Sequence, residues 1–371
     1  MPNNLIPEGF KDDVSENVST EHKYKNIIID HFQSHGYELI KTPLIEFYHH
    51  DIGKNSFKLQ TNKHENKLLI RDDITMQVAR LSLTRLFKKK KPLKLCYYGE
   101  VVRKSGSMLR PERQFLQIGA ECIGEKNNLA DVEMLDLAYS SLKIVGIKNI
   151  SVEISSRIFL DKFYSVIKNN TYLEEIKRLI KQKDINSVLK LINKKDQKYL
   201  KDIFNCTGSF FDKKTLLEDL KIDKKNIDEI EKIKDVIINF CNNNKKVNIF
   251  LDLCEVDDKN YHKGIRFTFF AENVRGEIAR GGRYVVKNSN KIDEATGFTC
   301  YMDTILRASS LKQTKKKIMV TLNLNKNIKK DLIKKGFIIV THFEESKYTK
   351  IKAIEQNCKY FFDGKIVRSI K

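Results

Sequence analysis

The chain has 371 residues, 41% of them hydrophobic, with a formal net charge of +21. That length holds one large core and something smaller, so two or three domains are expected. No apolar run approaches the ~20 residues that cross a bilayer, and the N-terminus MPNNLIPEGFKDD lacks the pattern of a signal peptide. The seven cysteines are scattered with no CxxC pair, and the eight histidines form no ligand pattern, so neither a disulfide framework nor a metal site is expected. The positive charge is densest in residues 157–246 and 317–371 and is carried mostly by lysine, which lacks the bidentate fork of arginine. Such a charge permits RNA binding without arguing for it. The expected setting is a reduced cytoplasm.

In chain order, Tyr24, Ile27, Ile28 and Phe32 carry the spacing of an amphipathic helix over Glu21–Ser34, which Gly36 stops. Tyr37–Ile40 reads as a strand ending before Pro43, and Ser56–Gln60 and Lys67–Ile70 as short strands. Asp72 and Asp73 offer cap and first-turn carboxylates to a helix from about Ile74 to Phe87. Thr75 lies in that first turn, either completing the cap or facing a carboxylate-bearing ligand.

Leu95–Val102 and Arg113–Ile123 alternate in polarity around a polar loop and predict a β-hairpin. Along its second strand Gln117, Gly119 and Glu121 share one face. The glycine leaves a gap floored by backbone, with an amide on one side and a carboxylate on the other. Such a gap suits a small ligand bearing an ammonium or imidazole group; the same pattern also describes a sheet with one wet face. Arg103, Lys104, Arg110 and Arg113 in the loop are placed to reach phosphates, or form a solvated basic turn.

Leu129–Val145 predicts a helix and Ile150–Ile154 a strand. Residues 157–246 read as a helical insertion of several short helices, after which Val247–Leu253 returns to strand. Ile265–Ala271 is a strand, Asn273–Gly276 a turn, and Glu277–Arg280 a return running into a Gly281–Gly282 bend. Asn288–Glu294 reads as a polar loop, Ala295–Cys300 as a strand and Met302–Leu311 as a helix. Beyond a linker, residues 317–371 alternate between strand and helix as a small α/β unit.

The order of these features resembles the histidyl-tRNA synthetase family, and most of all its non-aminoacylating branch, the regulatory subunits of ATP phosphoribosyltransferase. The resemblance spans about residues 5–311. It rests on LIPEGFKD, on GYELIKTPLIEF with Pro43 at the proline of class II motif 1, and on LLIRDDITMQVAR. The motif-2 hairpin KLCYYGEVVR…RQFLQIGAECIG, then ARGGRY, and ATGF at motif 3 complete it. It implies an α+β fold. Residues 1–311 form a class II aminoacyl-tRNA synthetase-like core, an antiparallel sheet flanked by helices with the 157–246 insertion inside it. Residues 317–371 replace a longer anticodon-binding domain.

By the same resemblance the family's histidine-contacting positions fall on Asp73, Thr75, Arg103, Gln117, Glu121 and Tyr261, with Asp73 standing for a glutamate and His262 for a second tyrosine. Three positions depart from an activating synthetase. Ser105 replaces the motif-2 glutamate, Asp257 the arginine that drives adenylate formation, and Thr304 the motif-3 arginine on the terminal phosphates. Clamps on developing phosphoryl charge are worth ~3–4 kcal/mol apiece, so losing them removes activation. The implied protein is a non-catalytic regulatory subunit without cofactor or metal. It assembles with the short catalytic subunit of ATP phosphoribosyltransferase in a hetero-octamer, dimerises with itself through the motif-1 region, and is a candidate to bind L-histidine. The shortened C-terminal unit argues against tRNA as a partner. A divergent histidyl-tRNA synthetase is the alternative, and an RNA-binding pseudo-synthetase a third reading.

Overall fold

The computed structural model describes residues 5–14, 16–48, 55–60, 68–107, 109–220, 223–255, 262–288, 291–311 and 316–370. The chain divides into two compact units, Met1–Ser310 and Leu311–Lys371.

The larger unit begins with α1 (Glu16–Ser34), β1 (Glu38–Ile40), β2 (Ile45–Phe47), β3 (Lys58–Leu59), β4 (Leu68–Ile70) and α2 (Thr75–Leu83). The hairpin β5 (Leu93–Val102) and β6 (Gln114–Ile123) follows, then α3 (Leu129–Ile144) and β7 (Ile150–Ser156). Six helices come next: α4 (Arg157–Val166), α5 (Leu173–Lys181), α6 (Ile185–Leu191), α7 (Lys194–Asn205), α8 (Phe210–Asp219) and α9 (Lys224–Asn243). A two-residue strand, β8 (Gly208–Ser209), interrupts them. The unit closes with β9 (Asn248–Leu251), β10 (His262–Ala271), β11 (Ala279–Asn288), β12 (Lys291–Tyr301) and α10 (Met302–Ala308).

Among the described residues nine strands form one sheet in the order β1-β5-β6-β12-β11-β10-β7-β9-β8. The six from β5 to β7 are antiparallel to their neighbours, while β1 on β5 and β9 on β7 are parallel. A second small sheet, β2-β4-β3, carries the segment around Pro43.

Alternation gives the large sheet two unlike faces. On one, Cys96, Ile118, Ala120, Phe267, Phe269 and Phe298 pack against Tyr24, Ile28 and Phe32 of α1 and Met134, Leu135 and Leu142 of α3. Buried side chains of the helices between α4 and α9 join the same core without a break. Each fully buried large apolar side chain contributes roughly 1.5–3 kcal/mol, so this face supplies most of the driving force. The opposite face is polar along its middle, and α2 covers part of it through Ile74 and Val78.

Three local readings of the sequence change. Helix α2 is shorter than the periodicity implies. Its N-cap position is Ile74 without a side-chain cap, and Asp73 instead accepts from Thr75 N at 2.8 Å. Gly281–Gly282 is no bend, because β11 runs through both residues, paired with Phe298 and Gly297 of β12. Most of the expected polar loop 288–294 is strand, since β12 already begins at Lys291.

The smaller unit has β13 (Lys316–Thr321), α11 (Lys326–Lys334), β14 (Phe337–His342), α12 (Thr349–Glu355), β15 (Tyr360–Phe362) and β16 (Val367–Ser369). Its sheet order is β14-β13-β15-β16, with β13 parallel to β14 and β15. Alternation along β13 splits its apolar residues: Ile318 and Val320 pack with Leu332 of α11, and Met319 with Ala353 of α12.

Candidate functional site

The pairing register sets the site. Gly119 of β6 lies opposite Tyr97 of β5 and Thr299 of β12, and Glu121 lies opposite Leu95 and Gly297. Directly opposed residues share a face, so Tyr97, Gln117, Glu121 and Thr299 all point to the polar side. The gap above Gly119 is not floored by backbone, because the Tyr97 ring crosses it. A Cβ on Gly119 would lie 2.4 Å from the Tyr97 hydroxyl.

That hydroxyl donates to Glu121 Oε1 at 3.2 Å and lies 2.8 Å from Thr299 Oγ1 and 3.2 Å from Thr75 Oγ1. Tyr284 donates to Glu121 Oε2 at 2.9 Å. Glu121 is 1% exposed. Burial raises its carboxyl to about 8, assisted by the charge of Asp73 and opposed by the hydrogen bonds from Tyr284, Thr75 and Tyr97. At neutral pH it is therefore mainly a neutral acid, able to donate as well as accept. Gln117 is wholly buried; its Oε1 accepts from Ile74 N at 3.2 Å, while its Nε2 has no partner among the described residues. Leaving such a donor unmade costs about 1–3 kcal/mol, which a ligand acceptor would recover.

The loop cations are committed unequally. Arg113 donates to Glu8 O at 2.8 Å and to Arg103 O at 3.2 Å, and stacks on Phe10 and Phe57, so it fastens the N-terminal segment to the hairpin. Arg110 is 3% exposed and stacks 3.6 Å from the Tyr301 ring centroid. It pairs with Glu277 and Asp303, each at 3.3 Å, and donates to Thr304 Oγ1 at 3.3 Å. A guanidinium from the hairpin loop thus reaches Thr304, and two carboxylates already neutralise it. Arg103 is half-buried against the Phe115 ring, without an ion pair among the described residues. Of the four cations expected to reach phosphates, Arg110 and Arg113 face inward.

Ser105 is exposed and turned away, bonded through its N and Oγ to Asn55 Oδ1 at 2.9 and 3.0 Å. Tyr261 and Asp257 lie outside the described residues. The structure therefore brings together Asp73, Thr75, Gln117 and Glu121, and adds Tyr97, Tyr284 and Thr299, which sequence reasoning missed. The available signal was an aromatic directly across a hairpin from a glycine.

Behind the site, Arg71 anchors the segment around Pro43. It is 6% exposed and donates to Glu100 O at 2.7 Å and to Thr42 O and Oγ1 at 3.1 and 3.0 Å. Gly99 makes room for it, since a Cβ there would fall 2.0 Å from Arg71 Nη2.

A mostly antiparallel sheet with one packed and one polar face, the motif-2 hairpin within it and the candidate side chains on the polar face define a class II synthetase-like core. The family model for histidyl-tRNA synthetase matches residues 9–305. An ATP phosphoribosyltransferase regulatory subunit of Rhodospirillum centenum is 31% identical over 82% of this chain and 80% of its own length. Another, of Paramagnetospirillum magneticum, is 26% identical over 96% and 95%. A crystal structure of an ATP phosphoribosyltransferase regulatory subunit/histidyl-tRNA synthetase from Bacillus halodurans superposes with a TM-score of 0.79 at 20% identity, covering 98% of each chain. The chain belongs to the histidyl-tRNA synthetase family and, within it, to the ATP phosphoribosyltransferase regulatory subunits. Among the described residues no helix is long and apolar enough to cross a membrane, and no group of side chains is placed to hold a metal ion.

Proposed function

We propose that this chain is a non-catalytic regulatory subunit that activates a short-form ATP phosphoribosyltransferase catalytic subunit and conveys histidine feedback in the first step of histidine biosynthesis. The carrying observation is the contrast between the two halves of the site. The amino-acid half keeps a buried Glu121 ringed by hydroxyls and a Gln117 amide with an unmade bond. The nucleotide half has Ser105 turned to Asn55 and Thr304 under an arginine already paired with Glu277 and Asp303. Asp73, Thr75, Arg103, Gln117, Glu121 and Tyr261 are the proposed contacts for an L-histidine ligand.

Exposed Leu39, Leu44, Ile45 and Phe47 near Pro43 support self-association through the motif-1 region. Feedback of this kind needs two assembly states with unequal affinity for histidine, because a ligand that binds both equally shifts nothing. The role requires a cytoplasmic setting. Histidine-dependent ATP–pyrophosphate exchange is the direct test of the non-catalytic half of the proposal. No exchange above background is expected, and turnover typical of an activating enzyme would overturn it.

A further inference from the structure

The polar face of the sheet carries a second group of charges. Ser155, Arg266, Gly282, Gly297 and Glu121 form one row across β7, β10, β11, β12 and β6. Three strand spacings, about 14 Å, separate Glu121 from Arg266, and the two groups adjoin only where Arg280 stands opposite Thr299. In the adjacent row Arg280 lies between Thr268 and Thr299.

Arg266 is 1% exposed, and its side chain crosses Gly282, where a Cβ would stand 3.1 Å from Arg266 Cγ. Both arginines and a serine converge on one carboxylate. Arg266 Nη2 donates to Glu255 Oε2 at 2.5 Å, Arg280 Nη2 donates to Oε1 at 2.7 Å, and Ser155 Oγ donates to Oε2 at 2.6 Å. Two guanidiniums and a hydroxyl divided between the two oxygens of a planar anion make an oxyanion receptor.

The receptor and its occupant differ in how they are held. Ser155, Arg266 and Arg280 stand on central strands whose registers are fixed on both sides. Glu255 stands outside the strands, at the end of a turn in which its amide reaches Asp252 O at 3.4 Å. Its side chain keeps 19% of its surface in solvent. The donors are built into the scaffold, and the carboxylate arrives from a loop.

We propose that Ser155, Arg266 and Arg280 form a receptor for a small oxyanion, a carboxylate or a phosphate group, which Glu255 fills from within the chain and which an external anion occupies by displacing it. The test is thermal unfolding of the full-length chain titrated separately with inorganic phosphate and with acetate, chloride holding the ionic strength constant. A saturable stabilisation by at least one anion is expected in the wild type, and the two arms identify which group is taken.

Glu255→Gln removes the competing charge and is expected to tighten that anion about tenfold or more, the worth of one charge-assisted hydrogen bond. Arg280→Met, at a side chain 28% exposed, leaves the Arg266–Glu255 pair in place and is expected to abolish saturation. No saturable effect in the wild type, or equal affinity in wild type and Arg280→Met, would overturn the proposal. If Glu255→Gln fails to fold, the comparison of wild type with Arg280→Met decides alone.

Discussion

Replacing Glu121 by glutamine tests the electrostatics of the site through stability alone. Burial holds the Glu121 carboxyl at about 8, against an ordinary 4.5. Between those values the folded chain keeps a proton that the unfolded chain has released, so folding stability falls as pH rises. Below about pH 4.5 both states are protonated and the contribution is fully present; above about pH 8 both are ionised and it is gone. The slope is roughly 1.4 kcal/mol per pH unit, so about 3 kcal/mol separates pH 5 from pH 7.5.

Glu121→Gln has no such proton. The Tyr97 and Tyr284 hydroxyls, which both donate to the carboxylate, must partly reorient around the new amide. That cost, about 1 kcal/mol, does not vary with pH. Urea denaturation across this range is the assay. Wild type is expected to be the more stable at pH 5 and the variant at pH 7.5, the curves crossing between. Parallel curves would refute a buried, proton-holding Glu121.

Three further outcomes follow from packing and charge. Gly99→Ala drives a methyl group onto Arg71 and releases its grip on Thr42 and Glu100. It is expected to destabilise the chain by about 2 kcal/mol or more in the same urea assay and, through the segment around Pro43, to weaken self-association in light scattering. Arg110→Met takes from Glu277 and Asp303 the buried cation that they share, leaving Asp303 only the longer contact to Arg307. A loss of about 3–5 kcal/mol is expected in urea denaturation, with partial recovery when Asp303→Asn is added. Gln117→Leu removes an unmade buried donor, but also the acceptor for Ile74 N. Calorimetry is expected to show histidine affinity falling at least tenfold while unfolding free energy changes by less than about 2 kcal/mol.

The parts of this molecule written in local patterns were readable in advance. Alternation in β5 and β6 identified the hairpin, and period two placed Gln117 and Glu121 on one face. What depended on register across strands was not readable. Tyr284 and Thr299 arrive at the site from strands far along the chain.

The Gly281–Gly282 pair misled because adjacent glycines signal a turn locally. Here Gly282 gives room to Arg266, a neighbour that no short-range pattern reveals. The loop arginines misled in the opposite sense. Their charge suggested phosphate, yet the acids that hold Arg110, Glu277 and Asp303, lie more than 160 residues away in sequence. The convergence of Ser155, Arg266 and Arg280 on Glu255 was invisible because the pairing of β7, β10 and β11, not closeness in sequence, sets the donors side by side.

In the proposed role this chain governs another protein's chemistry and performs none of its own. The direct measurement mixes it with the short catalytic subunit of ATP phosphoribosyltransferase and follows phosphoribosyl-ATP formation with and without histidine. Activity is expected only when both chains are present, and histidine is expected to suppress it. Full, histidine-sensitive activity of the catalytic subunit alone, unchanged on adding this chain, would rule out the proposed role.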